Sequence, residues 1–251
     1  HIGAVGRLLI WGWPEGEASD DLERLDIEYA PDDAYRGSNQ FLISPKRTEA
    51  GVPIALIDPH LSWYGFFRFY EARYYGGELN YSGMAVPGLP LSTLGHSEYC
   101  SVAMTTGGPD TADIFFYPIN PENPAQYRYD GTWRDMTSID ERIGVKLEDG
   151  TVEQREVTFN YTHTGPVVAR DGGYAYAIAI PYWEEIYHID QVYAMNTAKN
   201  MDDMMTAFDM RQYMAQNIMV ATVDGDIFYL RNGRVPIRPE ARTLPVANEF
   251  R

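Results

Sequence analysis

The residues that could do chemistry in this 251-residue chain are dispersed in short polar segments. A serine hydroxyl becomes an effective nucleophile only when a base takes its proton. If the bond between Gly37 and Ser38 is cut, Ser38 gains an α-amino group with a pKa of about 8, and that amine can serve as the base for its own Oγ, directly or through one water. In isolation, Ser38 and Asn39 could equally form an ordinary turn. The segments are, in chain order, Gly37-Ser38-Asn39, Asp58-Pro59-His60-Leu61, Thr105-Thr106-Gly107-Gly108, Tyr161-x-His163-x-Gly165-Pro166, Asn217 ahead of Asp224-Gly225-Asp226-Ile227, and Pro236-x-Arg238.

Composition and the missing motifs exclude several function classes. The net charge of −16 argues against a duplex-DNA or anionic-membrane ligand. No apolar run approaches the roughly 20 residues of a membrane span. The sequence contains no dinucleotide or phosphate-binding loop, no His-Glu-x-x-His, no Gly-x-Ser-x-Gly and no EF-hand loop. The single cysteine, Cys100, excludes an internal disulfide framework and a cysteine-based zinc cluster, and its apolar surroundings predict a buried core residue.

The elements that must position these segments are mostly strands. Short β-like runs separated by Gly, Pro, Asn and Asp predict an α+β class with a mainly antiparallel sheet. Asp224-Gly225 predicts a hairpin with a type I′ turn. Helices are predicted at 62–75, 184–193 and 201–214, the last opened by Asn200, with a short one at 19–25. The predicted strands are 40–44, 53–57, 99–105, 111–117, 153–161, 165–168, 174–180, 217–223 and 226–230.

Taken together and in this order, the segments resemble the start of the β-chain in the penicillin acylase family of N-terminal-nucleophile hydrolases. The spacing carries the resemblance: 22 residues separate Ser38 from His60, 47 more lead to Gly107, and 21 separate Asn217 from Arg238. The resemblance implies the αββα sandwich of that superfamily, only partly present in this chain. It also implies that residues 1–37 are a spacer or the end of an α-chain, and that 38–251 are the N-terminal part of the β-chain nucleophile domain.

The resemblance assigns Ser38 as the nucleophile and Gly37–Ser38 as the bond that the chain cuts by itself. The Ser38 hydroxyl would attack the Gly37 carbonyl, the acyl group would shift from N to O, and water would resolve the ester. Gly37 suits this step because it has no Cβ to obstruct the attack. The implied activity is hydrolysis of a linear amide bond between an acyl group and an amine through a Ser38 acyl-enzyme.

Four further residues match positions of the family's site. His60 matches a histidine beside the nucleophile in cephalosporin acylases, and penicillin G acylases carry a different residue there, so the chain resembles the cephalosporin and acyl-homoserine lactone branches more. The backbone N–H of Gly107 and the side chain of Asn217 match the oxyanion donors, and Arg238 matches an arginine that braces the asparagine. Relatives often carry a small or β-branched residue at the Gly107 position. Without the pattern, His60 and Arg238 would be surface residues, and Asn217 would bond its own backbone at a strand edge.

The acyl pocket of relatives is lined by the segment after His60. Cephalosporin acylases that accept glutaryl chains use an arginine shortly after a Gly-Leu-Pro turn, and here that place holds Thr93. Burying a carboxylate without a partner costs several kcal/mol, so we expect a preference for apolar acyl groups. The predicted pocket residues are Trp63, Phe66, Phe69, Tyr70, Thr93 and Leu94.

The resemblance also bears on cofactors, partners and location. Asp110 and Asp113 match acidic positions that bind a structural calcium in some relatives, although a solvated turn explains them equally, and the chemistry requires no cofactor. The expected partners are a small-molecule amide, a separate α-chain and further β-chain segments, and relatives are periplasmic or secreted. Two other interpretations stay open: a catalytically silent fragment or pseudoenzyme that acts as a binding module, and an unrelated β-rich ligand-binding protein.

Overall fold

The computed structural model describes residues 37–61, 63–64, 68–183 and 185–238. These residues fall into two compact units. Within the described ranges, unit 1 comprises the segments up to 111 and from 185 to 236, and unit 2 comprises 112–183 with 237–238. No helix in these ranges is long and apolar enough to cross a membrane. The helix predicted at 19–25 and all of the predicted spacer except Gly37 lie outside the described residues.

Strands dominate the described residues, as the sequence predicts. The helices are α1 His188–Thr197 and α2 Met201–Asp209. The strands are β1 Gly37–Ile43, β2 Ile54–His60, β3 Tyr70–Gly76, β4 Leu79–Ala85, β5 Leu94–Ser97, β6 Cys100–Thr106, β7 Asp113–Asn120, β8 Asn123–Tyr129, β9 Thr132–Asp135, β10 Thr137–Lys146, β11 Val152–Tyr161, β12 Val167–Asp171, β13 Tyr174–Ala179, β14 Gln216–Thr222 and β15 Ile227–Asn232.

A six-stranded antiparallel sheet organises unit 1, in the order β15-β14-β6-β5-β4-β3. Val102 and Met104 of β6 and Ile218 of β14 are buried in one core with residues of α1 and α2. Because successive residues of a strand face opposite sides of the sheet, Thr105 and Asn217 point away from this helical layer. These two polar side chains meet on that opposite face.

The β1–β2 hairpin also belongs to unit 1 and contacts β6 and β14. Its antiparallel register sets Gly37 opposite His60 and Ser38 opposite Pro59. The pairing therefore brings a serine and a histidine that are 22 residues apart to neighbouring positions. The side chain of Gln40 ties the hairpin to the sheet, because its Nε2 donates to the carbonyl oxygen of Asn217 at 3.1 Å.

The helix predictions have mixed outcomes. α2 begins where predicted, with the side chain of Asn200 accepting from the backbone N–H of Asp203 at 2.8 Å. It ends at Asp209, before the predicted 214, and Arg211 then takes a positive φ of 53° that a helix cannot continue. α1 overlaps the predicted 184–193 but begins and ends four residues later.

The helix predicted at 62–75 is wrong in its described last third, because Tyr70–Gly76 forms strand β3. Aromatic side chains favour a pleated surface, and β3 pairs along its whole length with β4. In β3 only Ala72 and Tyr74 are partly buried, which is an alternating pattern. The mixed spacing of the aromatic residues concealed this period of two.

The predicted hairpin around Asp224-Gly225 is confirmed, but the turn type is wrong. A type I′ turn needs a positive φ at both central residues. Gly225 has a φ of +95°, but the φ of Asp224 is not positive. The N–H of Gly225 donates to the carbonyl of Thr222 at 3.0 Å, and the N–H of Thr222 donates to Asp226 at 2.9 Å. The loop is therefore a three-residue connection that ends in a left-handed glycine.

Unit 2 contains a five-stranded sheet, in the order β12-β13-β7-β8-β9, and a separate two-stranded ribbon of β10 and β11. The segment around His163 and Gly165 has a structural role here. The hydroxyl of Tyr127 lies 2.9 Å from His163 Nδ1. A Cβ on Gly165 would lie 2.2 Å from the carbonyl oxygen of Ile178, so only glycine fits beside β13.

Candidate active site

Ser38 is the second residue of β1, and its hydroxyl lies against the peptide group that precedes it. The Ser38 Oγ donates a hydrogen bond to the carbonyl oxygen of Gly37 at 2.5 Å. A Cβ added to Gly37 would meet no atom within 4 Å, apart from its chain neighbours. The serine oxygen is therefore next to the carbonyl that the predicted self-cleavage would attack.

His60 is oriented by a carboxylate on its own strand. Its Nε2 lies 2.9 Å from Asp58 Oδ2, and the two side chains are 52% and 49% exposed. Because Asp58 and His60 are two residues apart in β2, they share one face of the strand. The hydrogen bond from His60 keeps the pKa of the Asp58 carboxyl below its usual value. Asn39 of β1, opposite Asp58, also donates to this carboxylate at 3.5 Å.

The side-chain amide of Asn217 is held at both ends. Its Nδ2 donates to Thr105 Oγ1 at 3.1 Å and to the carbonyl oxygen of Thr106 at 2.9 Å. Its Oδ1 accepts from the hydroxyl of Tyr229 at 2.8 Å. Because the carbonyl oxygen of Thr106 can only accept a hydrogen bond, the atom of the Asn217 amide that faces it must be the nitrogen. Both amide hydrogens are thus engaged inside the chain, and a role as oxyanion donor requires one of them to change partner.

Gly107 follows the last residue of β6 and lies directly against the backbone of Gln216. A Cβ at position 107 would lie 2.8 Å from the Cα and carbonyl carbon of Gln216 and 2.9 Å from its nitrogen. Real Cβ atoms essentially never approach backbone atoms this closely. In this chain a glycine is therefore required for the loop to reach its position beside β14.

An apolar pocket opens beside Ser38, between the β1–β2 hairpin, β6 and the loop that follows β4. The cavity inside its mouth has a volume of about 40 Å³. Thr93, Thr105, Thr106 and Gln216 contribute polar atoms to its wall. The apolar lining residues are Pro59, Leu61, Phe69, Val86, Leu89, Leu94, Met104 and Met214.

The residues predicted for the acyl pocket take different places. Phe69, Thr93 and Leu94 line the pocket. Tyr70 does not, although its hydroxyl donates to the carbonyl of the lining residue Leu89 at 2.7 Å. The side chain of Trp63 is not part of the wall and is 86% exposed. The prediction for Phe66 falls outside the described residues.

A second, more open depression adjoins Ser38 on the hairpin side. Ser38 and Thr105 border both this groove and the apolar pocket. The groove is also lined by the polar residues Asn39, Gln40 and Asp58 and by the apolar residues Phe41 and Leu56. Ser38 and Thr105 therefore lie between an apolar pocket and an open groove of mixed lining.

Arg238 pairs with one of the two aspartates predicted for calcium. Arg238 Nε donates to Asp113 Oδ1 at 3.0 Å, and both residues belong to unit 2. The guanidinium occupies one oxygen of the Asp113 carboxylate, and the calcium role of Asp113 stays a prediction. In the part of the chain that the structure describes, no three His, Cys, Asp or Glu side chains form a metal-sized cluster. The roles of Arg238 and of Asp110 stay predictions.

The structure thus places four predicted site residues in unit 1: Ser38 and His60 on the paired strands β1 and β2, Asn217 on β14, and Gly107 directly after β6. The register puts the side chains of Ser38 and His60 on opposite faces of the hairpin. The structure adds three side chains that sequence reasoning missed, namely Asp58, Gln40 and Tyr229. Asp58 stood in the Asp-Pro-His segment, where a carboxylate two residues before a histidine in a strand was the available signal. The prediction for Cys100 is confirmed: it is a buried free thiol, and burial raises its pKa to about 11.

Comparison with known proteins gives one family. A family model described as penicillin amidase matches residues 2–249. The chain is 27% identical over 211 residues to the acyl-homoserine lactone acylase PvdQ of Pseudomonas putida, which covers 81% of this chain and 27% of that protein. It is 29% identical over 217 residues to penicillin G acylase of Escherichia coli, which covers 83% of this chain and 25% of that protein. The chain spans about a quarter of the length of these curated relatives.

The fold agrees with this match. A thermostable penicillin G acylase from Alcaligenes faecalis superposes with a TM-score of 0.72 at 23% sequence identity, over 83% of this chain and 38% of that one. The likeness confirms the predicted fold class, an αββα hydrolase fold with mainly antiparallel sheets of which this chain holds a part.

Proposed function

Because the chain belongs to the penicillin amidase family, we propose that it forms the nucleophile-bearing part of an amide hydrolase that separates an acyl group from an amine. The observation that carries the proposal is the place of Ser38. Its hydroxyl lies against the Gly37 carbonyl and at the edge of an enclosed apolar pocket. The nucleophile, the peptide bond that would be cut and the acyl pocket therefore lie next to one another.

Activation begins with the chain's own peptide bond. The Ser38 Oγ attacks the carbonyl carbon of Gly37, the C–N bond breaks, and the serine nitrogen takes a proton to become a free amine. Water then hydrolyses the resulting ester, which returns the hydroxyl to Ser38 and leaves a carboxylate on Gly37. Gly37 has no side chain to obstruct the attack on its carbonyl carbon.

The freed α-amine then serves as the base for catalysis, since its pKa of about 8 lets it take the Oγ proton near neutral pH. Ser38 attacks the amide carbon of the substrate, and the negative charge develops on the carbonyl oxygen. The Gly107 N–H and the Asn217 Nδ2 stabilise that oxygen, and losing one such donor lowers the rate about 10²–10³-fold. The amine leaves with the proton, and water attacks the Ser38 ester to release the acid.

The lining of the pocket favours apolar acyl groups over glutaryl. An apolar acyl group gains about 0.8 kcal/mol for each methylene that it buries, whereas a distal carboxylate would lie among apolar side chains and Thr93 with no cationic partner among the described lining residues. We expect kcat/KM to be higher for octanoyl and phenylacetyl amides than for the glutaryl amide of the same amine, with the processed, full-length protein. A glutaryl amide that turns over fastest would refute the pocket argument and leave the nucleophile untouched.

Ser38 substitutions test the nucleophile directly. In wild-type protein, intact mass after incubation should reveal two pieces that meet at Gly37 and Ser38. Ser38→Ala should give neither cleavage nor amide hydrolysis, and Ser38→Cys should retain cleavage with weak hydrolysis because a thiolate attacks a carbonyl but forms a different acyl-enzyme. Normal processing of the alanine variant would remove Ser38 from the mechanism.

One observation favours the second candidate function, a catalytically silent binding module of the same fold. Both hydrogens of Asn217 Nδ2 are donated to Thr105 and Thr106, which leaves the oxyanion one donor fewer unless the amide turns. The two candidates differ in a simple assay. Binding of an octanoyl amide without its hydrolysis, in protein that has been cut at Ser38, would establish the binding module.

We also propose that the active protein includes a separate α-chain and further β-chain segments, and that it works in the periplasm or outside the cell. The proposal draws on the length of the curated relatives, of which this chain spans about a quarter, and on their bacterial origin. Purification of the full-length gene product and fractionation of the producing cells test both parts. A cytosolic protein that is active as a single uncut chain would contradict them.

A further inference from the structure

The open groove beside Ser38 differs from the apolar pocket in charge. Both spaces meet at Ser38, so a substrate whose acyl half fills the enclosed pocket places its amine half over the groove. Besides Ser38, the groove is lined by the uncharged polar residues Asn39, Gln40 and Thr105 and by the apolar residues Phe41 and Leu56. Asp58 alone among its described lining residues bears a formal charge at neutral pH.

Two hydrogen bonds hold the carboxylate of Asp58 in place, and it stays ionised. It accepts hydrogen bonds from His60 of its own strand and from Asn39 of the paired strand. Both contacts favour the charged form, so the pKa of the carboxyl lies below its ordinary value. The group is also half-exposed, so it can face a ligand in the groove.

We propose that Asp58 selects substrates by the charge of their amine half: it favours a neutral or cationic group next to the scissile amide and disfavours a carboxylate there. The inference rests on the proposed function, because that function defines which half of the amide lies over the groove. This selection would favour amides whose amine half carries a lactone, an ester or a second ammonium group. It would disfavour amides of amino acids and other amino carboxylates.

The expected size of the selection follows from distance and screening. We calculate the effect for a substrate charge that lies about 6 Å from the Asp58 carboxylate across the groove. At that separation, in an open groove whose effective dielectric constant lies between about 40 and 80, Coulomb's law gives roughly three- to tenfold per unit charge. Added salt should weaken the effect, since the group is exposed to solvent.

Calorimetric binding to the processed Ser38→Cys variant of the full-length protein, which should still cut itself but hydrolyse amides only weakly, tests the inference with little turnover of the probes. The probes share an octanoyl group and differ in the amine half: N-octanoylglycine carries a carboxylate, its glycinamide analogue is neutral, and mono-octanoyl ethylenediamine carries an ammonium. We expect affinity to rise in that order, by about three- to tenfold per step. Adding Asp58→Asn should reduce each step to less than about twofold. Asp140→Asn removes an equal charge from the β10–β11 ribbon and should leave the steps as they are.

Equal affinity for the three probes, or steps that persist in Asp58→Asn, would overturn the inference, and so would failure of all three to bind. If Asp58→Asn does not fold, salt gives the second measurement: at about 0.5 M the steps should shrink toward unity, and steps that salt leaves intact would count against Asp58. The proposed function fails separately. Protein with Ser38 intact that binds the probes in the expected order and hydrolyses none of them would retain the charge selection and lose the amidase.

Discussion

Gly107→Ala tests whether the loop after β6 must lie against β14 for the site to form. The added methyl group would lie 2.8 Å from the Cα of Gln216, which is nearly 1 Å inside ordinary carbon–carbon contact. The atoms that it meets are backbone atoms of a strand paired on both sides. They cannot rotate away, so the loop must move.

The magnitude has a structural part and a catalytic part. Overpacking of this kind costs about 1–3 kcal/mol, which urea unfolding of Gly107→Ala against wild type measures. Displacing the Gly107 N–H also removes one oxyanion donor, so kcat for an octanoyl amide should fall about 10²–10³-fold. KM should change less, because the pocket lining does not include Gly107.

Gly37→Ala is the matched control for stability. The same methyl group placed there meets no atom within 4 Å, so the urea midpoint should stay within about 0.5 kcal/mol of wild type. A Gly107→Ala protein with wild-type stability and wild-type kcat would show that the loop tolerates a side chain and that its N–H is not a catalytic donor.

The remaining predictions concern three side chains. His60→Ala should lower the acylation rate in stopped-flow measurements and leave the circular dichroism spectrum unchanged; an unchanged rate would make His60 a surface residue. Tyr229→Phe removes the hydrogen bond that orients Asn217, so we expect kcat to fall about three- to tenfold with little change in KM. Burial lowers the pKa of His188 from 6.5 to about 4. As the pH falls, His188 therefore takes up a proton at a higher pH in the unfolded chain than in the folded protein. Stability should therefore decrease by up to about 3 kcal/mol between pH 6.5 and 4, and His188→Phe should lose this slope in urea unfolding.

Local signals were sufficient for much of the fold. Asp224-Gly225 marked the turn between β14 and β15, and the Asn200 side chain capped α2 as its residue type predicts. The segment at 62–75 failed because aromatic residues satisfy a helical and a strand pattern equally over a short run. Pairing with β4, which the run itself does not encode, decided for β3.

The residues of the site likewise fall into those that local sequence signals identify and those that only long-range pairing brings in. Residues with a reactive group and a fixed spacing, such as Ser38 and His60, could be selected from the sequence. Gln40 could not, since its partner Asn217 is 177 residues away. Tyr229 reaches Asn217 only because β15 and β14 pair in one register. The need for glycine at position 107 is likewise a property of the β6–β14 approach.

The position of Ser38 at the beginning of a strand explains how a protein could cut its own chain and keep its nucleophile in place. Strand pairing holds both sides of the bond, with Gly37 opposite His60 and Ser38 opposite Pro59. Once the bond is broken, Gly37 retains one pairing, whereas Ser38 stays attached to a strand that remains paired with β2 through Ile43. The new amine is therefore anchored beside its own hydroxyl while the released end is free to leave, and a proton transfer between the two groups needs no further folding.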